Sequence, residues 1–340
     1  MNGNQNDHPP LNFWQDSRDC WRRLPNKGLF FLLLAAWLAL FQFLGNSILG
    51  YIHTPSLFAW MQEAYRSSGN AANDDAHGNF IPFLVVGLFW WKRKELLASS
   101  FNLWWPGLLI LAAGMVLHVL GYVIQQPALS IVALFMGIYG LMGLAWGREW
   151  LRKSAFPFFL FVFSVPLGAR SAFITFPMRQ LVSWLVAVVA HWILGIDVIR
   201  VGTQLFDSSG TYQYEVAAAC SGMRSLIAIF LLATVYGFIT FRSTWERLFL
   251  MGLAFPLAIL GNLARMLFII MAAELGGQQA GNYVHEGCPI HLPFNVPLIG
   301  NEIALANLLP YIPAFVGLLV IGRLMENRRR SDASTEQKHP

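Results

Sequence analysis

Stretches of apolar residues long enough to cross a membrane recur along the whole chain, and few folds are compatible with that. A hydrocarbon core about 30 Å thick needs roughly 20 apolar residues in helical form. Backbone polar groups at that depth have no water to bond, so helices are the expected spanning form here. Apolar runs fall near 28–50, 80–91 (extendable to 76–93), 104–124, 128–147, 155–169, 219–240, 248–273 and 303–325. Of the 340 residues, 56% are hydrophobic and 12% charged, about half the charged share of an ordinary soluble domain. The expected fold is an all-α polytopic membrane protein with about eight transmembrane helices. Residues 1–27 and 326–340 read as polar tails, 1–20 and 327–340 as disordered, flanking a single membrane domain at 28–325. No internal repeat is evident, and the first apolar run reads as a retained helix because it is too long for a signal peptide and lacks a small-residue cleavage site.

The net charge of +5 indicates a nucleic-acid partner only until its positions are read. Basic residues gather at the ends of apolar runs, where they orient a membrane protein. One further stretch, 181–198, is ambiguous because it carries Trp184, His191, Trp192 and Asp197. With that stretch outside the membrane, 17 of the 23 basic residues share one side and Arg66, Arg170, Arg179 and Arg200 lie opposite. If it spanned, every later basic cluster would change sides. The stretch is therefore expected to be an outer interfacial helix, with both termini cytoplasmic and loops 51–78, 170–218 and 274–302 outside. Alternating residues around Asp207-Ser-Ser-Gly210 predict a small outer hairpin.

Two arginines lie within apolar runs: Arg224 in Cys220-Ser-Gly-Met-Arg and Arg265 in Asn262-Leu-Ala-Arg. A charge at that depth faces a protein interior or a wet cavity. Cys220 opens its span, where unpaired N–H groups and the helix dipole favour a thiolate. Arg224 follows one turn later, Gly222 leaves the backbone approachable, and Ser221 adds a polar neighbour. Arg265, with Asn262 one turn earlier, is suited to holding a carboxylate, a carbonyl or an oxyanion; alternatively it ties helices together through backbone carbonyls. His285 is placed in the outer loop as a proton-exchange partner for the thiol, with His291 in reserve. His285, Glu286, Cys288 and His291 match no tight zinc spacing, so no metal or other cofactor is expected. A Cys220–Cys288 disulfide would remove the nucleophile. The cluster Asp74, Asp75, His77, Gly78, Asn79 reads as a helix start with Asn79 as cap and Pro82 in the first turn; its functional alternative has His77 facing the same cavity.

These residues, taken in order, resemble the exosortase/archaeosortase family. His77-Gly78 precedes Ile-Pro and a span ending Trp-Trp-Lys-Arg-Lys; Cys220-Ser-Gly-Met-Arg224, Asn262-Leu-Ala-Arg265 and His285 follow. The resemblance covers roughly residues 28–325. It implies a multi-pass inner-membrane cysteine transpeptidase that cleaves C-terminal sorting signals (PEP-CTERM type) on the outer face through a thioester. Cys220 matches the nucleophile, Arg265 the catalytic arginine and His285 the acid/base, with Arg224, Ser221, Gly222, Asn262 and His77 in supporting or substrate-binding roles. Many members carry a glutamate two residues before the cysteine, where this chain has Ala218 and its nearest acid is Glu215. Implied partners are sorting-signal proteins, membrane lipid and envelope polysaccharide machinery, with no nucleic acid. A transporter or a structural subunit of a polysaccharide export system is the rival reading; the first would show inverted repeats and interrupted helices, which the sequence lacks.

Overall fold

The computed structural model describes residues 13–47, 54–66, 74–167, 172–216, 223–286, 288–296, 300–304 and 311–336. It is mostly helical. Among the described residues, five helical segments are long and apolar enough to cross a membrane: Lys27–Leu44, Pro106–Val123, Pro127–Trp146, Phe173–Leu194 and Thr244–His285. His77–Trp91 and Ser225–Thr240 are shorter apolar helices. The chain divides into two compact units, residues 1–66 with 76–166, and residues 67–75 with 167–340.

The first unit begins with α1 (Phe13–Arg23), in a region expected to be a polar tail. It continues through α2 (Lys27–Leu44), α3 (Leu57–Tyr65), α4 (Ile81–Trp91), α5 (Arg93–Leu97), α6 (Pro106–Val123), α7 (Pro127–Trp146) and α8 (Arg148–Phe159). Helices α6 and α7 approach closely because glycines face each other. A Cβ on Gly107 would come within 2.6 Å of the Gly140 carbonyl, and one on Gly140 within 2.7 Å of the Gly107 carbonyl. In lipid, such backbone approach supplies the dispersion contact that water would otherwise drive. Trp37 of α2 lies over Gly137 and donates from Nε1 to the Leu134 carbonyl at 3.0 Å. His118 and Ser130, both buried, bond across the α6–α7 pair at 3.1 Å.

The expected span at 155–169 takes another form. Helix α8 starts earlier, at Arg148, ends at Phe159 and tightens into a 3₁₀ turn over Leu160–Ser164. Pro157 within it has no N–H, which releases the carbonyl four residues back. That carbonyl, Lys153 O, accepts instead from Lys92 Nζ at 2.9 Å, and Lys153 Nζ donates to Glu95 O at 3.2 Å. At the other end Ser164 O accepts from the Tyr65 hydroxyl. The cap expected at Asn79 is also different: Asn79 closes a 3₁₀ turn and Phe80 occupies the N-cap without a side-chain bond, although Pro82 lies in the first turn as expected.

The second unit contains α9 (Ala172–Val189), extended by a π turn over Ala190–Leu194. The stretch expected to be interfacial thus belongs to a helical run of spanning length, Phe173–Leu194; its charges and tryptophans had masked that continuity. Gly195, at φ 69°, ends the run, and Ile196 N bonds back to Ala190 O. Strands β1 (Val198–Val201), β2 (Gln204–Asp207) and β3 (Gln213–Glu215) form an antiparallel meander. The predicted hairpin around Asp207–Gly210 is the β2–β3 connection. A two-residue turn at Gly202–Thr203 adds β1, with Gly202 at φ 65° supplying the positive φ such turns require. Helices α10 (Met223–Thr240) and α11 (Thr244–His285) pack together, and α12 (Tyr311–Glu336) packs on both. Strands β4 (Pro289–Val296) and β5 (Gly300–Ala304) form a second antiparallel pair that the sequence reading did not anticipate. Ile303 and Ala304, expected to begin the last span, belong to β5.

Candidate functional site

The candidate site residues Arg265 and His285 lie on α11, where Gly276 (φ −135°) and Gly277 (φ 70°, ψ −173°) break the helix. Gly277 adopts a conformation that side-chain-bearing residues avoid. The apolar, span-forming part of α11 ends at this break, and the segment beyond it, Gln278–His285, is largely polar. His285 was expected in a loop but is the last residue of this second helical piece. Arg265 and His285 are 20 residues apart, which in a straight helix means about 30 Å. Yet Arg265 Nη2 donates to the His285 carbonyl at 3.1 Å, so the chain turns back on itself after the break.

Three contacts hold the returning segment. Gly281 lies against Ala273 and Tyr214; a Cβ there would come within 2.8 Å of Ala273 Cβ and would also collide with the Tyr214 hydroxyl. The Tyr214 hydroxyl donates to Gln278 O at 3.2 Å. Gln278 pairs with the backbone of Gln213, accepting from its N–H at 2.9 Å and donating to its carbonyl at 3.4 Å, and also donates to Asn282 Oδ1 at 2.9 Å. Strand β3 therefore acts as a brace for the segment. Beneath it lies a buried apolar cluster of Val182 and Val186 from α9, Leu205, Tyr212, Tyr214 and Val216 from the sheet region, and Met266, Ile269, Ile270 and Ala273 from α11. The Tyr214 ring stacks over the His285 imidazole with centroids 6.2 Å apart.

His285 is half-buried, and burial, followed by the Arg265 charge, lowers its pKa below the usual 6.5, against a smaller opposing effect of Glu286. The imidazole is thus biased towards its neutral, proton-accepting form at neutral pH. Asn262, one turn before Arg265, is 2% exposed, and its Nδ2 has no hydrogen-bond partner among the described residues.

The other expected site residues divide by location. Cys220, Ser221 and Gly222 lie outside the described residues, and Arg224 belongs to the first turn of α10 with its side chain likewise outside. His77 is half-buried in the 3₁₀ turn Asp74–Asn79, where neighbouring Gly78 fits under the Tyr65 ring. His291 lies on β4 opposite Glu302. Cys20 and Cys288 are free thiols, the latter at φ 49° with its N–H bonded to Tyr283 O. Among the described residues, no three side chains of metal-binding type gather into a cluster. Tyr214, Gln278 and the Gly276–Gly277 break escaped the sequence reading, although two adjacent glycines followed by a polar stretch were a legible signal for a reversal.

No curated protein and no solved structure matches this chain. Residues 68–288 match the model of the transmembrane exosortase family (Exosortase_EpsH), a stretch that includes His77, Cys220, Arg265 and His285 and stops before His291. With more than half of its length matched, the chain belongs to the transmembrane exosortase family.

Proposed function

We propose that this protein is a membrane-embedded cysteine transpeptidase that cleaves the C-terminal sorting signal of exported proteins and transfers them to an acceptor. Family membership implies processing of PEP-CTERM sorting signals, and exosortases are generally regarded as cysteine transpeptidases. The observation that carries the assignment of roles is the 3.1 Å bond by which Arg265 engages the segment bearing His285. Two of the three residues expected to act together are thereby neighbours. Cys220 follows Val216 by four residues, at most about 14 Å of extended chain. Val216 shares the buried cluster with Tyr214, the residue that stacks on His285.

In this mechanism His285 accepts the thiol proton, and the Cys220 thiolate attacks the scissile carbonyl carbon. A C–S bond forms as the carbonyl π electrons move onto oxygen, and the Arg265 guanidinium stabilises that oxyanion. Collapse breaks the C–N bond, and the His285 imidazolium protonates the departing amine. An acceptor amine or glycan-linked group then attacks the thioester with His285 as base, releasing the thiol; water in its place would give hydrolysis. Arg224 supplies a fixed positive charge four residues after Cys220 in the sequence, Gly222 leaves the backbone approachable, and Ser221 and Asn262 support substrate. The enzyme occupies the inner membrane with both termini cytoplasmic and its active face outside. Its partners are sorting-signal proteins and lipid, alongside envelope polysaccharide machinery.

Cys220→Ala, expressed beside a protein bearing a motif–helix–basic tail, is expected to slow trimming about a thousandfold or more, as for other catalytic nucleophiles. Cys288→Ala in the same assay should leave trimming intact. Trimming unchanged in Cys220→Ala, read by the mass of the product, would overturn the enzyme assignment.

A further inference from the structure

Helix α1 is short and strongly two-faced, and its position is anchored. Asp16 pairs with Arg93 of α5 at 2.5 Å, while the Trp21 carbonyl accepts from Lys27 Nζ at 2.8 Å. The turn that follows is held to the end of α7, with the Pro25 carbonyl accepting from Trp146 Nε1 at 3.0 Å and Asn26 Nδ2 donating to Ala145 O at 3.2 Å. At 100° per residue, Trp14, Arg18 and Trp21 occupy an arc of roughly 60°, with Arg22 at its margin and Asp16 and Cys20 on the far side. Trp14 is 70% exposed and Trp21 51%.

Continuity with α2 indicates what covers this face. Trp21 contacts Phe31 of α2 with ring centroids 5.4 Å apart. Leu29, Phe31 and Leu32 are themselves exposed on α2, and on a spanning helix such exposed apolar side chains face lipid. The tryptophan face of α1 is therefore continuous with a lipid-facing surface, at the end of a span. Indole rings favour the headgroup level, and arginines beside them match anionic headgroups in charge.

We propose that α1 is a membrane-surface helix whose Trp14–Arg18–Trp21–Arg22 face binds the anionic headgroup layer. The test uses the full-length protein in nanodiscs of phosphatidylcholine alone or with phosphatidylglycerol, with amide hydrogen exchange measured over residues 13–23. Each arginine near an anionic surface contributes about fivefold. Exchange in α1 is expected to be at least about fivefold slower in the anionic discs, with α7 unchanged as internal reference, and Arg18→Glu with Arg22→Glu should abolish the difference. Both positions are exposed, so the fold tolerates the exchange. As a second measurement, Trp14→Ala with Trp21→Ala should speed exchange in both lipids. Equal exchange in the two lipids, or protection that follows protein concentration rather than lipid charge, would overturn the proposal and indicate another protein chain as the occupant.

Discussion

Arg265 spends one of its donors on a backbone carbonyl, and that carbonyl belongs to His285. The arrangement places a permanent positive charge beside an imidazole already desolvated by burial, and both effects favour neutral histidine. The consequence for stability has a definite sign. The folded pKa lies below 6.5, so as pH falls the unfolded chain takes up the proton first, and stability present above pH 6.5 is lost as pH drops through the folded value. The melting temperature should therefore fall between pH 7.5 and pH 5.5, and His285→Gln should flatten that dependence. Melts in detergent at the two pH values check this; an unaltered slope in the variant would assign the pH dependence to other groups.

At the element level, the decisive feature is the break that divides α11. Gly276 and Gly277 allow the return, and Gly281 allows the returning piece to lie against Ala273 and Tyr214. The two kinds of glycine predict different outcomes. Gly281→Ala meets Ala273 Cβ at 2.8 Å and the Tyr214 side chain, and overpacking of this sort costs about 1–3 kcal/mol. Gly277→Ala has open space around it, so its cost is backbone strain alone, about 1–3 kcal/mol for a φ 70°, ψ −173° conformation that is essentially restricted to glycine. Denaturation midpoints will rank the pair. Exchange protection at Gln278–His285 should fall markedly in Gly281→Ala, because that variant displaces the segment from its brace. Protection retained in Gly281→Ala would mean that Tyr214 yields without moving the segment.

For the whole molecule, membrane orientation and helix count are linked. The proposed orientation has both termini on the cytoplasmic side, and on that proposal the β2–β3 turn is an outer feature and the short connection between α10 and α11 an inner one. Alkaline phosphatase joined after Gly210 is expected to be active, and joined after Arg242 inactive. The reverse pattern would overturn the orientation and, with it, the placement of the proposed chemistry on the outer face.

From the residues alone, the membrane class, most of the helical segments, the hairpin around Asp207–Gly210 and the pairing of Arg265 with His285 as candidates were all legible. Each depends on local composition or short spacing: apolar length, turn chemistry, or a charge where lipid forbids one. The spanning length of Phe173–Leu194, the early end of α8, the β4–β5 pair and the helical character of Gln278–His285 were not legible. They depend on partners far away in the chain. Lys92 completes the bond that Pro157 removes, and β3 supports a polar segment that has little reason to be helical by itself. Sequence by itself determined which residues cannot face lipid; tertiary structure decided where they meet, because a helix break and a close glycine contact turn 20 residues of separation into one hydrogen bond.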